Sequence, residues 1–243
     1  MKIIKTPRDI TVIDNQPFIV IATDSSGSIG EKPVDRLHVQ TQTAAAHCLR
    51  VCLNELYAVG VAPDVIISTV SNEFDDTGKK ILDGINEWCR RYHIRDYAIN
   101  GSSEENFPTE MTGFGITVVG NAVQLLWNKT GEGDYCYLYG LPLVGNEVLE
   151  KDEILLNPLI IQDLFNRYDI HDFLPCGSRG IIHEIELLSG QAELPFTPTQ
   201  FNKSQDSKML YQSAGPSTCG ILTSSEKISG DNIRLLGHFT KKD

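Results

Sequence analysis

A run of apolar, mostly β-branched residues, Ile19-Val-Ile-Ala-Thr23, ends on Asp24 and passes into Ser25-Ser26-Gly27-Ser28, with Lys32 a few residues on. A carboxylate at the end of a buried strand can hold a divalent cation. A Gly/Ser-rich loop beside it can offer the backbone N–H groups of Ser25, Ser26 and Gly27 to phosphate oxygens, and Lys32 would add a positive charge. The same residues also fit a polar turn that closes a strand, so this segment alone leaves both readings open. Three further segments carry acidic or amide residues suited to the same chemistry: Asp9, the pair Asn54-Glu55, and Gly101-Ser102-Ser103-Glu104-Glu105.

Those residues need elements to position them. Asp9-Ile-Thr-Val-Ile-Asp14 alternates as a strand, Asp14-Asn-Gln-Pro17 reads as a turn, and Phe18 to Thr23 returns as a second strand. Pairing across a short turn brings the far ends together, so Asp9 and Asp24 are expected at the same end. Two such carboxylates repel unless a positive charge lies between them. Both solvated at a sheet edge is the alternative.

Thr41 to Val59 has the apolar period of a helix, stopped by Gly60 and Pro63. Glu55 falls near its C-terminal end, where the helix dipole disfavours it unless it is exposed or met by a cation. A buried strand is expected at 64–71, a second amphipathic helix at 77–93, and a short strand at 97–100 running into a small-residue loop over 101–106. Another strand follows at 112–121, where Gly113 and Gly115 permit close backbone approach.

The polar stretch Asn128 to Asp134 reads as a hinge, which places domains at 1–127 and 134–243. Beyond it come a strand at 135–139, a turn at 141–145, helices at 160–168 and 181–188, and strands at 220–223 and 233–239. His183 is a candidate general base or a helix-surface histidine. Leu194 to Ser217, polar and Pro-bearing, is a candidate cover for the site.

The chain has 243 residues, enough for one large domain or two smaller ones, with 41% hydrophobic and 22% charged residues as in ordinary soluble globular proteins. Its net charge of −11 argues against nucleic acid as the main partner, but not against a nucleotide whose phosphates reach acidic residues through a cation. With no apolar run near the ~20 residues of a membrane span, and no secretory pattern at the start, the expectation is a cytoplasmic protein without a membrane partner. Six cysteines are scattered in apolar contexts; Cys48 and Cys52 share a helix face without a completing ligand pair, which favours buried structural thiols.

Taken in order, RDITVID, IVIATDSSGSIG, LNELYAVGVAPDVIIS, INGSSEE with TGFGITVVGN, and GDYCYLYGLPLVG resemble the aminoimidazole ribonucleotide synthetase superfamily. That group includes thiamine-monophosphate kinase, selenophosphate synthetase, a hydrogenase maturation dehydratase and formylglycinamidine ribonucleotide synthetase. The resemblance implies an α/β (α+β) fold of two domains. The N-terminal one, a mixed or antiparallel sheet covered by helices, would bind Mg2+ and ATP and form a homodimer. A smaller C-terminal α/β domain would bind the acceptor.

Carried over by residue, the resemblance makes Asp9, Asp24, Glu55 and either Glu104 or Glu105 the metal ligands, without choosing between the last two. Asn54, Gly101, Ser102 and Lys32 would contact the nucleotide. The family's Asp-Ser-Asp-Gly-Gly loop falls on Pro175-Cys-Gly-Ser-Arg-Gly180, where both Asp are lost and Arg179 arrives. Arg179 before a helix start suits an anionic group or a transferring phosphoryl, or simply caps a turn. The compact chain also resembles α-ribazole kinase of cobamide biosynthesis. The expected activity is therefore phosphoryl transfer from ATP to a nucleoside-like hydroxyl, with α-ribazole as acceptor. The alternatives are thiamine-monophosphate kinase, a phosphate-releasing synthetase, and a non-catalytic nucleotide-binding protein.

Overall fold

A computed structural model of the chain describes residues 1–199 and 206–241. These form two compact units of near-equal length, Met1–Leu56 with Val61–Gln124, and Tyr57–Gly60 with Leu125–Asp243.

The first unit is built on a six-stranded sheet. Its strands are β1 (Lys2–Ile4), β2 (Ile10–Asp14), β3 (Phe18–Gly27), β6 (Val65–Val70), β7 (Ala98–Ser103) and β8 (Gly113–Ala122), in the order β1-β2-β3-β8-β6-β7. Two short strands between β3 and β6, β4 (Ile29–Gly30) and β5 (Leu37–His38), pair with each other in parallel. In the main sheet only β6 and β7 run parallel, and their crossover is helical, as parallel neighbours require. The mixed sheet agrees with the expected fold class.

Period-two alternation decides which face is buried. Val12, Val20, Ala22, Ile66, Ile116 and Val118 are at most 1% exposed on the face that helix α1 (Thr41–Ala58) covers. Ile13, Ile19, Ile21, Val65, Ile67 and Val119 alternate to the other face and stay partly accessible.

Helix α1 begins where the Thr41 N–H donates to the Glu31 carboxylate, an acidic side chain at the positive end of the helix. Helix α2 (Lys79–Arg91) follows an irregular turn at Phe74–Gly78 and packs closely on α1. Trp88 of α2 lies edge-on to His47 at 5.1 Å and carries the fully buried Arg50 guanidinium 5.5 Å from its ring centre.

The second unit has a five-stranded antiparallel sheet of β9 (Tyr135–Gly140), β10 (Asp172–Pro175), β11 (Phe196–Pro198), β12 (Cys219–Ser224) and β13 (Ile233–Phe239), ordered β10-β12-β9-β13-β11. Around it lie helices α3 (Asn146–Glu150), α4 (Pro158–Arg167), α5 (Ile181–Ala192) and α6 (Asp206–Tyr211). Asn157 caps α4 by accepting the Ile160 N–H, with Pro158 at the first helical position. Within the stretch expected as a hinge, the buried Asp172 carboxylate accepts the N–H groups of Asn128, Lys129 and Thr130 and the Thr130 hydroxyl.

Two further expectations are corrected in the first unit. Ser25 to Gly27 is strand and not loop, because β8 is also ten residues long and pairs β3 as far as Gly27↔Gly113. Gly101 to Ser103 is likewise strand, paired with Ser68 to Val70 of β6. The 194–217 stretch holds β11 and α6, and its residues 200–205 lie outside the described residues.

Gly84 sets the distance between α2 and α1. A Cβ there would fall inside contact with the Gln42 carbonyl and 2.9 Å from Gln42 Cα, both backbone atoms that cannot yield alone. Gly84→Ala is therefore expected to destabilise by about 1–3 kcal/mol despite alanine's better helix propensity. Urea unfolding checks this, and an unchanged or higher midpoint would contradict the close approach.

Candidate functional site

Asp24 lies within β3, three residues before its end, and its register partners are Ile116 on β8 and, one strand further, Ser68 on β6. It shares the parity of Val20 and Ala22, so its half-buried side chain faces α1. There it accepts hydrogen bonds from the Cys48 thiol and from the Ser25 N–H. Cys52, one helical turn on, turns its Sγ to the Ile116 carbonyl at 3.3 Å. Burial raises the Asp24 carboxyl above the ordinary aspartate range, and the charge of Asp9 pushes the same way.

The hairpin thus brings Asp9 and Asp24 together. A desolvated carboxylate with a second negative charge beside it is a setting that a bound cation would relieve, so this pair fits a metal chemically. The other expected ligands are placed differently. Asn54 is fully buried on α1, next to the half-buried Glu55. Glu104 accepts the Asn106 N–H, and Glu105 accepts the Phe74 N–H and the Ser103 hydroxyl. Among the described residues no group of three or more His, Cys, Asp or Glu is arranged to hold a metal.

Gly101 and Ser102 line a cavity of about 310 Å³ bounded by β6, β7, the Phe74–Gly78 turn and α2, together with Ser68, Phe74, Leu82 and Ile99. Ser25, Ser26 and Gly27 have backbones engaged in the β3–β8 ladder, which removes the free loop expected there. Arg179 is exposed in the turn before α5, and His183 is half-buried on the first turn of that helix, its Nε2 enclosed.

Lys32 pairs with Glu73, whose second oxygen accepts the Thr109 hydroxyl at 2.9 Å. This pairing holds the Glu73 carboxyl down at about 2. Next to it, the buried Asp35 carboxylate accepts the N–H groups of Lys32 and Thr112 and the Thr112 hydroxyl, while buried Asn72 bridges Thr109, Met111 and Gly113. These carboxylates and amide tie the segment after β3 to the segment before β8.

Sequence reading missed Cys48, Asp35, Asn72 and Glu73. For Cys48 a signal existed in its helix face, which is also the sheet-facing one. The other three are joined only by tertiary pairing.

Because Asp24 has a raised carboxyl in the folded state, folding is most favourable with it protonated. The penalty grows as pH rises from the unfolded value of 3.8 and is complete above the folded value. In metal-free buffer, Asp24→Asn is expected to melt higher than the parent at pH 7, with the gap narrowing at pH 4. Thermal melts at both values test this, and a lower melting point for the variant at pH 7 would reject the burial penalty. Glu73 carries the opposite sign: its contribution is present above 4.5 and fades as pH falls toward 2. Lys32→Met is expected to move the Glu73 titration, followed by carboxyl NMR, back up toward 4.5.

No family model and no curated protein matches the sequence. Solved structures do. The crystal structure of thiamine monophosphate kinase from Aquifex aeolicus superposes with a TM-score of 0.69 at 12% identity, covering 96% of this chain and 89% of that one. A structure of AaThiL complexed with AMPPCP and TMP gives 0.68 at 12% identity, covering 97% and 85%. Hydrogenase maturation protein HypE in complex with ATP gives 0.63 at 12% identity, covering 97% and 80%. At such identities the likeness is one of fold, and it extends over nearly the whole chain: this protein has the fold of thiamine-monophosphate kinase and HypE.

Proposed function

We propose that the protein is a Mg2+- and ATP-dependent kinase that phosphorylates a hydroxyl of a small nucleoside-like acceptor, with α-ribazole as the first candidate. The observation that carries this reading is the placement of Asp24, a half-buried carboxylate beside Asp9 in the middle of the first unit's sheet; the shared fold of AaThiL, a protein complexed with AMPPCP and TMP, supports it. Magnesium would supply the charge neutralisation that phosphoryl transfer requires.

The chain's own residues divide the remaining work. Asp24 and Asp9 would hold the cation, joined by Glu55 and by Glu104 or Glu105 once those side chains leave their local N–H partners. Asn54, Gly101 and Ser102 would contact the nucleotide, and the N–H groups of Ser25, Ser26 and Gly27 not used in the ladder would serve the phosphates. Lys32 would exchange Glu73 for a phosphate oxygen. Arg179, always charged and forked, suits a phosphoryl or an anionic acceptor group.

A homodimer through the first unit's sheet is part of the proposal. The partly accessible face of Ile13, Ile19, Ile21, Val65, Ile67 and Val119 supports it, since an apolar sheet face is normally covered.

A second reading, a nucleotide-binding protein without turnover, is favoured by one observation. The described residues hold no assembled group of three metal ligands.

Incubation with Mg-ATP and either α-ribazole or thiamine monophosphate, followed by mass spectrometry and a free-phosphate assay, separates these readings. The expected result is phosphorylated α-ribazole, one ADP per product and no free phosphate. Asp24→Asn should lower turnover by about 10²–10³-fold while remaining folded. Phosphorylated thiamine monophosphate would keep the kinase and change the acceptor. Free phosphate would indicate a synthetase-type reaction, and tight nucleotide binding without product would select the second reading.

A further inference from the structure

All six cysteines are buried and reduced, and their positions differ sharply in what they permit. Strand β10 pairs with β12 up to Pro175↔Gly220, and the next step places Cys176 directly across from Cys219. The Cys176 N–H donates to the Cys219 carbonyl at 2.9 Å, which makes this a hydrogen-bonded antiparallel pair. Such pairs have Cα atoms about 5.5 Å apart, within the disulfide range of about 4.4–6.8 Å. Directly opposed residues point to one face, and the two thiols hydrogen-bond to each other.

No other cysteine of either unit is so placed within its unit. Cys136 faces Thr223 on β12, whereas Cys219 faces Gly140, four positions away along β9. At strand rise that is about 13 Å, too far for a disulfide. Cys48 and Cys52 stand at i and i+4 on α1, and their thiols are turned to other acceptors, Cys48 to the Asp24 carboxylate and Cys52 to the Ile116 carbonyl at 3.3 Å. Cys89, on α2, is engaged with the Tyr97 hydroxyl.

We propose that Cys176 and Cys219 are a modification site: a dithiol that a peroxide converts reversibly into an intramolecular disulfide. One thiolate attacks a peroxide oxygen, the O–O bond breaks, and a sulfenic acid and hydroxide form. The second sulfur then displaces the sulfenic hydroxyl as water, closing the S–S bond. Two thiols and one hydrogen peroxide give one disulfide and two waters, the peroxide being reduced by two electrons.

Access requires local opening. All four residues of β10 are buried, and among the described residues its one ladder partner is β12, so this edge strand must part from β12 before a peroxide reaches the pair. Burial holds the Cys176 thiol well above the ordinary range, so the reaction proceeds from the opened state and is slow. The bond would tie together both ends of the excursion from Gly177 to Thr218, which carries Arg179, His183 and α5.

The test uses the full chain. Native protein is treated with hydrogen peroxide, quenched with catalase, unfolded, alkylated with iodoacetamide and mapped by mass spectrometry. Two of the six thiols should be protected, the peptides bearing Cys176 and Cys219 should be joined, and dithiothreitol should restore six alkylated sites. Closing this ring should raise the melting temperature by roughly 5 °C, reversibly. Cys48→Ser should keep the link, and Cys219→Ser should lose it. Mapping of the parent protein decides the matter even if a variant fails to fold. Six alkylatable thiols after oxidation, a link between other cysteines, or sulfinic acid at Cys176 without a cross-link would each overturn the proposal.

Discussion

The first unit depends on one long pairing. Ten residues of β3 run antiparallel to ten of β8, in unbroken register from Phe18↔Ala122 to Gly27↔Gly113. Because side chains alternate, that register alone puts Asp24 on the face under α1, in line with Val20 and Ala22. A slip by one residue would turn Asp24 outward and bury Thr23 in its place. The unfavourable burial of a carboxylate is therefore maintained by the apolar residues that share its face, each of which would be displaced to relieve it.

Buried carboxylates stand in two different settings in this protein. Asp35 and Asp172 sit where several donors converge, and each ties a loop to the sheet beside it. Such a buried acid is a staple: its removal would leave several N–H groups without their acceptor. Asp24 is the contrasting case, desolvated and set beside Asp9, with a thiol and its neighbour's N–H as donors. A perturbed acid next to a like charge marks a candidate site residue, which is the ground on which Asp24 enters the proposal. The contrast separates Asp24 from the structural acids more clearly than its residue type does.

Local closure also explains why other candidates look unlike a preformed site. Lys32 is held by Glu73, Glu104 accepts the Asn106 N–H of its own loop, and Glu105 accepts the Ser103 hydroxyl and the Phe74 N–H of the turn before α2. Charged side chains near a turn find the closest partner, since ordering a distant one has a larger entropic cost.

Much of the architecture was legible in the chain alone. The apolar period marked α1 and α2, alternation marked β2, a β-branched apolar run marked β3, and the turn at Asp14-Asn-Gln-Pro17 foretold that Asp9 and Asp24 would meet. These features follow from local periodicity and turn chemistry, which are written in consecutive residues. The ends of β3 and β7 were not legible. Ser, Gly and Ser are poor strand formers alone, and only a long partner on the neighbouring strand keeps them extended. The engagement of Lys32 by Glu73, the pinning of residues 128–130 by Asp172, and the opposition of Cys176 and Cys219 likewise join residues 41 or more positions apart. The sequence by itself determined which elements form and which chemical groups they carry. Only the tertiary structure decided which of those groups touch, because sheet register and loop closure join segments whose separation along the chain holds no periodic signal.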